Sequence, residues 1–363
     1  MKRMIAVVAL LAVAAMAGDK VPVIHCTDLY HPHEDPDDHF DLATMYAIPE
    51  VEVKAIILDK GSRQEKAPGR IPVSQMNKIT GRDVPCAIGL AKNLSKPDDK
   101  VLDDKAEYQQ GVELILKVLK DSPRPVSIVT LGSCRDVAAA YNREPELLRS
   151  KIGKLMIFIG EADEAKQNYR EYNVDLDRNA YICVMRSGLP VYWVPCMDGG
   201  AMKNNGKASF WRAKHSDVLS GSASEVVQFF IYALEKKSPA TEEPLAFLSK
   251  PVGEAERTRL FKGVRNLWCA SVFESLVGKE IVRSGEKWAA APAGVAPASV
   301  PAGSKPVFGF SEAEVAISDD AATSYAKTAT SRKVMRFEVL DKENYAAAMT
   351  AVTAELIGSL GKK

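Results

Sequence analysis

With 363 residues, 46% of them hydrophobic and 26% charged, the chain has the apolar content to bury a substantial core and is neither a disordered nor a fibrous sequence. Lys plus Arg number 48 against 47 for Asp plus Glu. There is therefore no basic field to recruit nucleic acid or an anionic membrane surface.

The first residues, "MKRMIAVVALLAVAAMAGDK", carry Lys2 and Arg3, an apolar run from Met4 to Ala14 and small residues at Ala15 and Ala17. This pattern predicts a secretory signal peptide over residues 1–17 and a secreted or periplasmic product with no membrane contact after cleavage. An uncleaved anchor is the weaker alternative, because the run falls short of the ~20 apolar residues of a membrane span. Export makes one or two disulfides conceivable among Cys26, Cys86, Cys134, Cys183, Cys196 and Cys269, but their long spacings include no CxxC pair.

Along the mature chain, "VPVIHCT", "VEVKAIIL", "VPCAIGL", "PVSIVTL", "KLMIFIG" and "LPVYWVP" are short Val- and Ile-rich runs that predict buried strands. Between them, "DDHFDLATMYA", "AEYQQGVELILKVLKD", "RDVAAAYN", "PELLRSK" and "RNAYICVMRSG" predict helices, the last closing on a C-cap glycine. The alternation predicts an α/β fold: one domain over residues 21–360 with an open, mainly parallel sheet and helices on both faces. Residues 222–276 read as mostly helical. The Ala- and Pro-rich stretch 289–306 reads as a surface loop or linker. Near the end, "VMRFEVL" predicts a strand, and "ENYAAAMTAVTAELIGSL" aligns Tyr345, Met349, Val352, Leu356 and Leu360 on one helical stripe.

In such a sheet ligands bind at the carboxyl ends of the strands. The first predicted strand runs into "CTDLYHPHEDPDDHFD", where Asp28, Glu34, Asp35, Asp37, Asp38 and Asp41 crowd together with His31, His33 and His39. Helix capping accounts for Asp35 or Asp37. It does not account for Asp28 or for the adjacent pair, since clustered like charges repel unless protons or a cation compensate them. A hard divalent cation with oxygen ligands meets that need.

"TD" with "EDPDD" and the following "FDLATMYAIPEVEVKAI" resembles the amino-terminal signature of the inosine-uridine preferring nucleoside hydrolase superfamily, in its secreted branch. "IVTLGSCRDVAAAYNREPELLRSKIGKLMIFIG" and "REYNVDLDRNAYICVMRSGLPVYWVP" are similar to two later stretches of that family, so the resemblance runs from Val21 to about Leu360. It implies Ca2+-dependent hydrolysis of N-ribosidic bonds, a nucleoside or riboside as the small-molecule partner, no organic cofactor, and association into homo-oligomers. Carried over by position, Asp28 and Asp38 would ligate Ca2+ with the backbone carbonyl near Leu131. Asp28 would also be the catalytic base, and Asp37 and Asn173, with Glu171 beside it, would bind substrate. The alternative for Asn173 and Glu171 is a polar loop capping the helix that starts near Arg178.

Two departures from the family pattern stand out. "LYHPHED" lengthens the loop between Asp28 and Asp37, where His31 and His33 would cover the pocket, act as acid and base, ligate a softer metal, or belong to a solvated loop. The family's late His-Asp pair falls on Trp268 and Cys269. Trp268 offers a stacking surface for an aromatic aglycone but no transferable proton. A second reading follows from that loss: a nucleoside- or sugar-binding protein of the same fold without turnover.

Overall fold

The computed structural model describes residues 20–167, 170–294 and 305–362; the predicted signal peptide and most of the predicted Ala/Pro-rich loop lie outside these residues. Thirteen strands are described: β1 (Val21–Thr27), β2 (Val51–Leu58), β3 (Cys86–Ile88), β4 (Val126–Thr130), β5 (Ile152–Phe158), β6 (Val191–Val194), β7 (Trp211–Lys214), β8 (Val264–Leu267), β9 (Lys279–Ser284), β10 (Lys287–Pro292), β11 (Phe308–Ile317), β12 (Thr323–Ser324) and β13 (Arg332–Val339). Nine of them form one sheet in the order β12-β11-β13-β6-β5-β4-β1-β2-β3. From β3 to β13 every pairing is parallel; β11 and β12 close the far edge antiparallel.

Strand alternation divides the core between two faces. On β1, Val23 points into one apolar cluster while Ile24 and Cys26 point into the other; on β4, Val129 and Ile128 separate in the same way. The first cluster is covered by α1 (Asp37–Ala47) and by helices Arg70–Thr80, Ser224–Leu234 and Tyr345–Ser359; the second by Ala106–Asp121, Arg135–Arg143 and Arg178–Arg186. The stripe Tyr345, Met349, Val352, Leu356 and Leu360 is buried as its spacing predicts.

Four expectations change. Ala289–Pro292 belong to the β9–β10 hairpin, so the predicted loop begins later. Helix Arg178–Arg186 ends on Ser187 in extended backbone (φ −69°, ψ 165°), not on a left-handed glycine. The helical stretch 222–276 is interrupted by β8, which pairs antiparallel with β7. All six cysteines are free thiols, five of them buried inside apolar surroundings, so no disulfide forms. Among the described residues, no helix is long and apolar enough to cross a membrane.

Candidate active site

β1 and β4 are neighbours at the centre of the sheet, and their carboxyl ends deliver Asp28 and Leu131 side by side. The chain there is tight: the Leu131 amide donates to the Cys26 carbonyl at 2.9 Å, and a Cβ added at Gly132 would lie 2.9 Å from the Asp28 Cβ, Cγ and Oδ1. Glycine is thus required at 132 by close approach of the Asp28 side chain. From the other side, Asp37 and Asp38 open α1. Pro36 occupies the N-cap and no side chain caps the helix, so capping does not explain these carboxylates. Instead, Thr27 Oγ1 donates to Asp38 Oδ1 at 2.7 Å, tying the helix start to the end of β1.

These groups line a pocket of about 460 Å3 together with Tyr30, Asp41, Glu171, Tyr172, Asn173, Met202, Trp268 and Cys269. That is the size range of a small-molecule site. Every sequence-predicted site residue therefore reaches one cavity, but their roles differ. Asn173 donates its side-chain amide to the carbonyls of Leu131 (2.8 Å) and Phe158 (2.9 Å), which leaves its Oδ1 to meet a ligand hydroxyl. Glu171 is committed to the backbone: its carboxylate accepts from Gly160, Asn173 and Val174 N–H groups and caps the helix Tyr172–Leu176. The helix at Arg178 is capped by Asp177. Glu171 shapes the loop that presents Asn173, and its Oε1, with a single backbone donor, keeps acceptor capacity for a ligand in the pocket it lines.

Trp268 is 8% exposed; its indole N–H donates to the Cys196 carbonyl at 2.8 Å, and its ring lies against Phe210. It presents an apolar edge to the pocket and has no proton to give. Asp41 had no role in the sequence reading, yet it lines the pocket while only 1% exposed. Its Oδ1 accepts from the Ala270 amide at 2.8 Å and the Cys269 thiol bonds the same carboxylate. The signal was present in the spacing: Asp41 follows Asp37 and Asp38 by one helical turn and shares their face.

The histidines of the inserted loop turn away from this pocket. His31 is buried, stacks on Tyr232 with ring centroids 4.7 Å apart and bonds the Lys237 carbonyl through Nε2 at 2.7 Å. His33 lies beside His39 and lines a separate cavity with His215 and Arg265. The loop packs through His31 and Pro36 while Pro32, Glu34 and Asp35 stay exposed, and Arg265 paired with Asp35 and Arg63 paired with Glu34 fasten it. Neither the soft-metal reading nor the acid–base reading of His31 and His33 survives this placement.

Electrostatically the pocket is overcharged. Burial and then Asp59 raise Asp28 to about 7; burial and the neighbouring carboxylates hold Asp37 and Asp38 well above the usual range; burial raises Asp41 to about 7. Among the described residues no Lys, Arg or His pairs with Asp28, Asp37 or Asp38, and no three or more His, Cys, Asp or Glu side chains form a metal-holding group. What converges is two carboxylates, Asp28 and Asp38, with the second lone pair of the Leu131 carbonyl. This all-oxygen set, with the Gly132 backbone pressed against Asp28, fits a hard cation that draws its remaining ligands from water or substrate.

The profile of the inosine-uridine preferring nucleoside hydrolases matches residues 32–292. The chain belongs to that family. The match begins four residues beyond Asp28, so the place of Asp28 in this nucleoside hydrolase rests on the geometry just described. The pyrimidine-specific ribonucleoside hydrolase RihA of Citrobacter koseri is 28% identical over 258 residues, covering 64% of this chain and 80% of that relative. The RihA of Salmonella typhimurium is 30% identical over 176 residues, covering 43% of this chain and 55% of that relative, about half its length. Two solved structures share the fold. The purine-preferring ribonucleoside hydrolase of Gardnerella vaginalis has a TM-score of 0.51 at 15% identity, covering 93% of this chain and 99% of its own. The inosine-uridine preferring nucleoside hydrolase of Bacillus anthracis has a TM-score of 0.52 at 11% identity, with the same coverage.

Proposed function

We propose that the protein is a secreted, Ca2+-dependent hydrolase of N-ribosidic bonds with an altered leaving-group side. The observation that carries this reading is the convergence of Asp28, Asp37 and Asp38 at the carboxyl end of β1, across one pocket from Trp268, in a chain of this family. Asp28, Asp38 and the Leu131 carbonyl would hold the cation, which when bound acidifies water and binds sugar hydroxyls. Asp28 takes the proton of the attacking water, and Asp37 and the Asn173 Oδ1 orient the ribose hydroxyls. As the C1–N bond lengthens, positive charge grows on the sugar ring, and the surrounding carboxylates stabilise it. Trp268, Met202 and Cys269 form the apolar side that would receive the aglycone. Secretion is proposed from the amino-terminal pattern alone, and assembly into homo-oligomers from the family resemblance.

The test is ribose release from uridine, inosine and p-nitrophenyl riboside by the purified full chain, with Ca2+ and after chelation. Release that requires Ca2+ supports the reading; release indifferent to chelation overturns the cation dependence. A second reading, riboside binding without turnover, is favoured by the bonded Trp268 indole, which leaves no proton donor at that position. It requires saturable sugar binding with no release from any of the three substrates.

A further inference from the structure

The pocket is lined by carboxylates, and beside it stands a cation, Lys60, whose charge opposes the rise of the Asp28 carboxyl without forming an ion pair with it. Lys60 follows β2 by two residues and adopts the left-handed conformation (φ 57°, ψ 64°), which residues other than Gly and Asn avoid. The backbone on either side of it is fixed. Asp59 N–H donates to the Thr27 carbonyl at 2.9 Å, and the Asp59 carboxylate accepts from the Lys60 amide and from the Ser133 amide and hydroxyl. Gly61 N–H donates to the Leu90 carbonyl at 3.1 Å. Held in this way, the Lys60 ammonium stands over the face of Tyr172, 5.9 Å from its centroid, and no carboxylate of the described residues lies within ion-pair distance. Tyr172 is 52% exposed and belongs to the pocket lining, so it forms the lip. Arg63 stands in the same way over Tyr30, 4.8 Å from that ring, but its charge is already matched by Glu34.

We propose that the Lys60–Tyr172 lip binds a phosphate group carried by the riboside, so that the substrate class is a 5-phosphorylated riboside. The inference rests on the riboside reading of the pocket. Its geometry comes from the sugar: the adjacent 2- and 3-hydroxyls are the pair suited to the carboxylates on the floor, which leaves the 5-carbon as the position from which a substituent reaches the lip. A lysine ammonium recognises phosphate as a point charge with three donors, without needing a bidentate fork. Because the lip is exposed, the attraction is screened by salt.

Calorimetric titration of the full chain with ribose and with ribose 5-phosphate, in saturating Ca2+ at one ionic strength, tests this. Wild type should bind ribose 5-phosphate about tenfold tighter than ribose, the size of one charge-assisted contact. Lys60→Asn removes the charge while tolerating the left-handed backbone, and should reduce the advantage, taken as the ratio of the two affinities within the variant, to less than about threefold. Lys60→Arg should keep the advantage. Equal affinities in wild type, or an advantage that Lys60→Asn leaves intact, overturn the proposal while the riboside reading stands. If ribose and its phosphate both fail to bind wild type, the riboside reading falls and this inference falls with it.

Discussion

Gly132→Ala probes the floor of the pocket without replacing a charged group. An added Cβ would sit 2.9 Å from Asp28 Cβ, Cγ and Oδ1, whereas carbon atoms pack at about 3.5–4.0 Å, so a gap of about 0.6–1.1 Å must open. Residue 132 cannot supply it, because Leu131 is bonded to Cys26 and Asn173 and Ser133 to Asp59. Asp28 must move instead, by more than the roughly 0.5 Å that a catalytic constellation tolerates. Displacement by about 1 Å costs on the order of 10²-fold in rate, or about 2.7 kcal/mol of transition-state stabilisation. Overpacking at the same time costs about 1–3 kcal/mol of stability. Ca2+ affinity by calorimetry, ribose release and urea unfolding measure all three, with Gly221→Ala as the control, since an added Cβ there meets nothing within 4 Å. A Gly132→Ala protein with wild-type Ca2+ affinity and turnover would show that Asp28 is not where the reaction is set up.

The leaving-group side predicts that p-nitrophenyl riboside, which needs no protonation on departure, is cleaved 10²–10⁴-fold faster than inosine or uridine in kcat/KM, the range a positioned acid supplies. Trp268→Ala should weaken binding of both substrate types; equal rates on them would point to Asp41, the carboxyl nearest the Trp268–Cys269 segment, as the acid. Asp136 is buried, accepts from the Leu90 amide at 3.0 Å and is raised from 3.8 to about 7 chiefly by burial. A raised carboxyl binds more protons folded than unfolded, so its contribution to stability is present below pH 3.8 and is lost as pH rises through 7, by roughly 4 kcal/mol in all. Asp136→Asn should therefore flatten the fall in stability between pH 4 and pH 8 in urea denaturation; an unchanged slope contradicts this assignment.

β1, β2, β4 and α1 were legible because their signals are local: apolar runs of strand length, then an acidic pair behind a proline. β7 to β10 were not, because they form two small antiparallel pairs: β7 alternates over only four residues, and β8 to β10 mix half-exposed residues that neither alternate cleanly nor run apolar. The site was legible where charge had to be explained and obscure where it was hidden. Asp28 and Asp38 announce themselves by crowding. Asp41 shares the helical face of Asp37 and Asp38, but its bond to the Ala270 amide, which buries it in the pocket wall, comes from 229 residues away and is invisible in sequence. Glu171 shows what sequence hides: an acid beside Asn173 resembles a substrate ligand, and the three backbone N–H groups that also hold it are visible only once Gly160 has turned toward it. The loop histidines follow the same logic, since the partners that hold His31, Tyr232 and the Lys237 carbonyl, lie about two hundred residues away in sequence.

Calorimetric titration of wild type and Asp38→Asn with Ca2+, followed on the same samples by ribose release, tests the central claim most directly. Asp38 lies where the start of α1 meets the end of β1 and makes one side-chain bond, to Thr27, so its amide variant should fold normally. The account predicts saturable Ca2+ binding and Ca2+-dependent release in wild type, and loss of both in Asp38→Asn with unchanged circular dichroism. Unchanged Ca2+ affinity in the variant, or wild-type ribose release that proceeds without Ca2+ binding, would contradict it.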